Sequence, residues 1–429
     1  MPRNSRQKTK LTIYSLAIFL YFIMSMNHWL GWGNRTVWWY FLSFIMVLVS
    51  IKKKCVHFDF CRKNILLCLL LYLTFMFVQL RWTGNPLDTK LYTHIPKFLL
   101  PSILIICIPK EYKSVILRNI SKWFAFLLMP AIITFILSRF VDLPSLGVLR
   151  YDTEDLTNQY GVVNNLFFCV IPQAAESQSR FYGPFLEPGH LGMMCSLLLF
   201  ANGHNYSRKE NVVILISLIL TLSLAGYVLC LIGFFFIRFD QGKLKLYRII
   251  IYSLLLLGFV VVGRYYHGGN NIINEMIISR LEPDEERGIA GNNRDSEVIL
   301  LLYADMFNNP RTMLMGYDVD TIEAAGKFWA SGFAYFMVRK GLLGLIAASL
   351  FYFAVALSSD NKKFAILALV YFAIMFWQRT YSFWLAWIIC YEYSISIAGI
   401  RAKARLRKRK GKKKDKVTKM HNQKCLANG

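Results

Sequence analysis

The residues best suited to chemistry stand together in segment 180–192, which reads RFYGPFLEPGHLG. It places a carboxylate, Glu187, three residues before an imidazole, His190, and seven residues after a cation, Arg180. A carboxylate or an imidazole can take a proton from a hydroxyl group, and an arginine fork can bind two phosphate oxygens at once. The segment therefore predicts a general base beside an anion-binding group, with Glu187 as the first candidate base and His190 as the second.

Each of these residues also has a structural interpretation. Glu187 could cap the helix that follows, because Pro188 suits a first helical turn. His190 could be a structural or interfacial histidine. Arg180 could order the loop by pairing with Glu176 or Glu187.

The composition indicates which kind of protein carries this segment. The 429 residues are 55% hydrophobic and 17% charged, with a mean hydropathy of +0.40, which is too apolar for a soluble domain of this length. In lipid only helices satisfy their own backbone groups, so we predict an all-α polytopic integral membrane protein. About twelve transmembrane helices are predicted, over 11–30, 36–51, 64–80, 95–109, 121–140, 190–203, 211–224, 225–239, 248–263, 341–357, 363–377 and 381–398.

The basic residues predict the orientation of these helices. The formal charge is +25, and the tail from Arg401 to Lys416 alone holds eleven basic residues against Asp415. By the positive-inside rule, this tail and the basic segments near 52–54, 62–63, 110–122, 207–209 and 243–248 face the cytoplasm. That arrangement requires 211–239 to cross twice, with a hairpin at Ala225-Gly226. We predict one membrane-embedded domain, 1–400, and a disordered tail, 401–429, that contacts the lipid bilayer rather than nucleic acid.

The same topology leaves two long extracytoplasmic loops, 141–189 and 264–340. Long loops on a rigid scaffold are where function concentrates. In the second loop, Asn293 or Asp295 is predicted to cap a helix that Asn309-Pro310 stops, and 328–340 is predicted to be a surface or membrane-dipping helix that breaks at Gly341. Arginines outside the membrane run against the positive-inside bias and so need another explanation. The candidates for a binding role among them are Arg180, Arg280, Arg294, Arg311 and Arg379.

The order of these features resembles that of Wzy-type O-antigen and capsular polysaccharide polymerases, which are related to O-antigen ligases. The resemblance covers about 180–350. It includes the 180–192 pattern, Gly291-Asn292-Asn293-Arg294, Asn309-Pro310, the Gly316 turn and the 331–345 stretch that enters a helix. Ligase-like members carry a histidine just before that last helix, whereas 326–331 has none, which favours a polymerase.

The resemblance implies a GT-C-like membrane glycosyltransferase in the cytoplasmic (inner) membrane of a bacterium. Its substrate is a polyprenyl-diphosphate-linked oligosaccharide, and its product is O-antigen or capsule. Arg180, Arg280 and Arg294 are the first candidates for the diphosphate, and Arg311 and Arg379 are the next. Tyr182 could stack on a sugar. The implied protein partners are a flippase and a chain-length regulator.

Several alternatives stay open at this level. Arg280 could belong to a solvated salt-bridge cluster with its acidic neighbours, and Arg294 could pair with Asp295 or Glu297. The chain could be a ligase, or a flippase or other transporter without enzymatic activity, although it shows no internal repeat of the kind that transporters often have. The outer loops hold no histidine cluster, and a lipid-diphosphate donor does not require the metal site of a nucleotide-sugar enzyme, so we predict no metal and no other cofactor.

Overall fold

The computed structural model describes the chain in several stretches separated by gaps. These are 5–32, 35–53, 99–149, 162–173, 178–242, 260–271, 273–284, 288–289, 295–325, 332–380 and 385–402, with the short pieces 66–67, 69–70, 73, 254, 257–258 and 404. The predicted helix 64–80, most of 248–263 and the tail beyond 404 lie outside these residues.

The described chain is mostly helical, as the sequence predicts. Its principal helices are α1 (Ser5–Ser25), α2 (Arg35–Lys53), α3 (Leu100–Ile106), α4 (Lys110–Leu137), α5 (Pro188–Ala201), α6 (Lys209–Leu220), α7 (Leu224–Asp240), α8 (Glu297–Asp305), α9 (Pro310–Met315), α10 (Val319–Ala324), α11 (Phe333–Leu357), α12 (Lys362–Gln378) and α13 (385–402).

Several helix ends differ from the predicted ones, among them the end of α1 and the start of α4. Helix α1 ends at Ser25 rather than near residue 30, because Asn27 takes a left-handed conformation with φ +60°, which asparagine tolerates better than most residues. Helix α4 begins at Lys110, so the basic stretch 110–122 is helical and not a loop. Pro109 occupies the N-cap position of α4. Lys113 forms a buried ion pair with Glu392, so its charge is compensated within the fold and the helix can include it.

The predicted break in 211–239 is confirmed, three residues before the Ala225-Gly226 pair. Helix α6 ends at Leu220, Leu222 adopts a left-handed φ of +47°, and the hydroxyl of Ser223 caps α7 by accepting a hydrogen bond from the Gly226 amide at 3.3 Å. Both α6 and α7 pack against α5, whose fourteen residues are all buried.

Two described helices, α4 and α11, are long and apolar enough to cross a membrane. Helix α11 is divided at Gly341, which has φ +62°, so the predicted break at this glycine is confirmed. An added Cβ at Gly341 would lie 2.4 Å from the carbonyl oxygen of Leu314, so the turn after α9 sits directly against the break. Shorter apolar helices run over Thr9–Ser25, Val37–Ile51 and Pro188–Ala201.

The two predicted loops contain small antiparallel sheets that the sequence did not indicate. In the first loop, β1 (Val148–Leu149), β2 (Val163–Asn165) and β3 (Val170–Pro172) pair in that order, with Val163 opposite Pro172. In the second, β4 (Pro283–Asp284) pairs with β5 (Gly288–Ile289). Strands of two or three residues carry no readable alternation of polar and apolar side chains.

The second loop folds onto the first half of α11. Asp295 does not cap α8; its carboxylate accepts a hydrogen bond from the Gly332 amide at 3.0 Å, and Ser296 occupies the N-cap position. Helix α8 ends at Asp305, and Asn309 caps the next helix through a 2.9 Å bond from the Arg311 amide. The predicted cap Asn293 lies outside the described residues.

The helix ends meet at two opposite places in the bundle. The Glu187 end comprises 180–190, 221–224 and 379, where α5 and α7 begin and α6 and α12 end. The Glu392 end comprises 110–113, 202–210, 238–242, 358–363 and 392–402. It is joined by contacts between Lys110 and Asp360 at 3.1 Å, between Asn361 and Asp240 at 3.1 Å, and between Lys113 and Glu392 at 2.6 Å.

Candidate active site

Three of the predicted site residues form one buried cluster at the Glu187 end. Glu187 immediately precedes α5, His190 stands in its first turn, and Arg379 follows the last residue of α12. Arg379 donates one hydrogen bond to Oε1 of Glu187 and another to Nε2 of His190. The second carboxylate oxygen, Oε2, lies 3.7 Å from Nε2 of His190. The three residues are only 8%, 8% and 2% exposed, so a carboxylate, an imidazole and a guanidinium share a site with little water.

Local backbone geometry explains why Glu187 faces Arg379. Glu187 is extended, with φ −149° and ψ 134°, and Pro188 starts the helix immediately after it. Its carboxylate accepts no capping hydrogen bond from α5, so the structural interpretation of Glu187 as a side-chain cap is wrong. Arg379 is also extended, with φ −152°, and this turns its side chain out of the line of α12 and toward α5.

The hydrogen bonds distinguish the two candidate bases. An arginine side chain can only donate, so Nε2 of His190 must be the acceptor, and the ring is neutral with its proton on Nδ1. Arg379 thereby occupies the lone pair with which His190 would take a proton. A carboxylate has about four acceptor positions, so Glu187 can bind Arg379 and still accept a proton. The geometry therefore favours Glu187 over His190 as the base.

Arg180 lies at the end of α6, on the turn that leads into α7. Its Nε donates to the carbonyl oxygen of Thr221 at 3.1 Å, and its Nη2 lies 3.5 Å from the carbonyl oxygen of Leu222. A cation is favourable at a helix C-terminus, where carbonyl groups lack helical partners. The same turn packs closely on α5, since an added Cβ at Gly192 would lie 2.7 Å from Cβ of Ser223. Arg180 thus stands on the turn that borders the first turns of α5.

A neighbouring turn, 26–32, supports the Gly-Pro segment and went unnoticed in the sequence. The Trp29 amide donates to the carbonyl oxygen of Pro184 at 3.0 Å, and His28 forms an isolated β-bridge with Phe185. Nδ1 of His28 accepts a hydrogen bond from the Leu30 amide at 3.2 Å. Burial lowers the pKa of His28 to about 4, so this imidazole is neutral at physiological pH. Asn27-His28 within an apolar run was the available signal for a turn.

The remaining predicted binding residues are placed as follows. Tyr182 is buried in a small apolar cluster with Val163, Val170 and Leu186, and its role in sugar stacking stays a prediction. Arg280 lies in a short 3-10 turn, with Nη2 3.8 Å from the sulfur of Met276. Arg311 is exposed on α9, and Arg294 lies outside the described residues.

Among the residues that the structure describes, no three histidine, cysteine or acidic side chains lie together as metal ligands would. The absence of a metal requirement stays a prediction. Comparison of the chain with protein-family models, with curated proteins and with solved structures finds no match. The functional argument therefore depends on the cluster and its surroundings.

Proposed function

We propose that this protein is a Wzy-type polysaccharide polymerase, which joins polyprenyl-diphosphate-linked repeat units at the outer face of the bacterial cytoplasmic membrane. The observation that carries the proposal is the buried cluster of Glu187, His190 and Arg379. It combines a proton acceptor with a cation suited to a diphosphate, and its members come from positions 192 residues apart in the chain.

The placement of charges supports the proposed orientation. Many of the described lysines and arginines gather at the Glu392 end, among them Lys110, Lys113, Arg208, Lys209 and Arg401. The positive-inside rule assigns such an end to the cytoplasm, which leaves the Glu187 end at the outer face. In this proposal both termini are cytoplasmic and the chain crosses the membrane about twelve times.

The surface of the helices supports a lipid environment. Large apolar side chains on α4, α11 and α12 are exposed, including Phe126, Phe353 and Ile366 at 76%, 51% and 61%. Many large apolar side chains exposed on neighbouring helices are costly in water, and such surface marks contact with lipid or with a partner. Together with the two helices of membrane-spanning length, it favours an integral membrane protein.

The proposed reaction forms one glycosidic bond and breaks one bond to phosphate. A hydroxyl oxygen of the acceptor repeat unit attacks the anomeric carbon of the donor glycan, and Glu187 takes the hydroxyl proton. The bond between the anomeric carbon and the diphosphate oxygen breaks, and its electron pair leaves with the polyprenyl diphosphate. Arg379 stabilises that departing charge, and a cation held in place before the reaction is effective because it needs little reorganisation.

Arg379 can serve this role only if it exchanges partners. In the structure its guanidinium is bound to Glu187 and His190. A diphosphate that takes over the guanidinium would release the Glu187 carboxylate to act on the acceptor. Arg180, on the neighbouring turn, is the second proposed cation for the diphosphate.

The test is extension of a lipid-linked repeat unit by the purified full-length protein in nanodiscs, with and without a metal chelator. A ladder of products that survives chelation is expected. Transfer only to a separate acceptor, with no ladder, would instead identify a ligase, and neither product would favour a transporter. For topology, Asp142→Cys should react with an impermeant thiol reagent from outside, whereas Lys362→Cys should react only after permeabilisation.

A further inference from the structure

A second feature near the cluster is an apolar cavity between α11, α12 and α13. It has a volume of about 250 Å³, and its wall includes Phe333, Tyr352, Phe372, Phe376, Trp377 and Trp387. Pockets that enclose a complete small ligand usually measure about 300–1,000 Å³, so this cavity suits part of a larger molecule. Its lining is almost entirely aromatic and aliphatic, which suits a hydrocarbon chain.

The cavity runs along α12 toward Arg379. Its lining residues on α12 extend from Leu369 to Trp377, a rise of about 12 Å for eight helical residues. Trp377 stands two residues before Arg379 and stacks on Phe333, with ring centroids 4.6 Å apart. The end of the cavity formed by these two rings is therefore the end nearest to the buried cation.

The cavity is also accessible from the side of the bundle. Phe353 and Trp377 line it and are 51% and 60% exposed. In a protein that spans a membrane, such an opening faces the hydrocarbon region, so a chain can enter laterally without crossing water. An apolar groove open to lipid at its side, with an arginine beyond one end, matches an amphiphile that has a long apolar tail and an anionic head.

We propose that this cavity binds the first isoprenoid units of the lipid carrier of the glycan, next to the diphosphate. The inference rests on the proposed function, because the diphosphate is assigned to Arg379. The cavity sets the position of the tail, and through it the position of the diphosphate relative to Glu187. Bulk phospholipid is the competing occupant that the experiment must exclude.

The experiment measures binding of fluorescent farnesyl diphosphate to the full-length protein in nanodiscs. Ala373→Trp places an indole at the exposed rim of the cavity. If the indole displaces about two carbon groups of the isoprenoid tail from the cavity, binding should weaken about tenfold. The affinity for inorganic pyrophosphate should not change. Val370→Trp is the matched control, since Val370 is exposed on the same helix but does not line the cavity.

Equal affinities of Ala373→Trp and Val370→Trp for farnesyl diphosphate would overturn the inference. The inference would also be overturned if an excess of phosphatidylglycerol displaced the probe as effectively as unlabelled farnesyl diphosphate does. Ser349→Leu, on the facing helix α11, is a second variant that should show the same loss. The assay requires no polymerisation, so a protein that binds the tail in this way but makes no polymer would refute the proposed function and leave the cavity assignment in place.

Discussion

The two ends of the bundle each contain a buried glutamate paired with a distant cation, and the two pairs differ in their surroundings. At the Glu392 end, Lys113 and Glu392 both lie within helices, α4 and α13, and their charged atoms are 2.6 Å apart. Lys113 also donates to the carbonyl oxygen of Ile106 at 3.0 Å, and Ser396 donates to Glu392 at 3.0 Å. At the Glu187 end, Glu187 and Arg379 both have an extended backbone conformation, and each stands next to a helix terminus.

Their surroundings indicate which pair serves structure and which can serve chemistry. The Lys113–Glu392 pair joins two helices, and the backbone and side-chain groups around it add hydrogen bonds that fix it. The Glu187–Arg379 pair includes a neutral imidazole and lies next to a Gly-Pro turn, where a substrate can take the place of one partner. Burial alone does not distinguish them, because all four charged residues are less than 9% exposed.

The first prediction concerns catalysis at the Glu187 end. Glu187→Gln keeps the shape of the side chain and its bond from Arg379 but removes the base, so polymerisation should fall about 10²–10⁴-fold. Buried Arg379 loses its counter-charge, so the melting temperature should fall as well, and turnover is therefore compared per folded protein. The measurement is extension of a lipid-linked repeat unit by the purified variant, with thermal unfolding followed in parallel.

Glu392→Gln is the matched control for this prediction. It removes a buried carboxylate of the same type at the opposite end, so it should lower stability while the folded fraction keeps its turnover. Near-normal turnover in Glu187→Gln would exclude Glu187 as the base and make His190 the next residue to test.

The second prediction concerns the arginine fork. Arg379→Lys keeps the positive charge but replaces the planar fork, which contacts Glu187 and His190 through two nitrogens, with a single nitrogen that cannot bind a diphosphate bidentately. We expect turnover to fall by about tenfold or more, which is roughly the value of one charge-assisted hydrogen bond. Lys363→Arg is the control. It makes the opposite change, from lysine to arginine, at an exposed position of the Glu392 end, and it should leave turnover unchanged. A fully active Arg379→Lys enzyme would remove Arg379 from the proposed site.

The third prediction separates the two ion pairs by stability. Lys113→Met leaves Glu392 buried without its cation and should destabilise the fold by about 3–5 kcal/mol. Adding Glu392→Leu should restore most of that loss, since an apolar pair of similar volume often replaces a buried ion pair without cost. The double variant should also keep its turnover. The corresponding double variant, Arg379→Met with Glu187→Leu, should regain stability but no activity. An inactive double variant at Lys113 and Glu392 would contradict the structural role of that pair.

The sequence predicted one side of the candidate site but not its assembly. Segment 180–192 is recognisable from its residue types, and the structure places Glu187 and His190 together at the start of α5. Arg379 was ranked below Arg180 because its pairing depends on how α5 and α12 pack, across 192 residues of chain. The start of α4 was missed for the same reason, since a helix with Lys113 in its first turns needs Glu392 from the other end of the chain.

The last prediction concerns pH and depends on one buried histidine at each end. Burial lowers the pKa of His28 to about 4, and burial together with the nearby Arg238 lowers the pKa of His204 to about 3. An unfolded chain would protonate both near pH 6.5, whereas the folded chain does not, so the unfolded state binds more protons below that pH. Stability should therefore fall as the pH drops from about 6.5 toward 4, by up to about 3 kcal/mol for His28.

His28→Asn tests this prediction, because the asparagine oxygen can replace Nδ1 as the acceptor of the Leu30 amide without titrating. The measurement is unfolding of the purified protein in detergent at pH 7, 6, 5 and 4.5. The loss of stability toward low pH should be smaller in His28→Asn than in the unchanged protein, and smaller again when His204→Asn is added, since sites at opposite ends should contribute independently. If the pH dependence of stability stayed the same in both variants, His28 and His204 would not be its source, and other titrating groups would have to account for it.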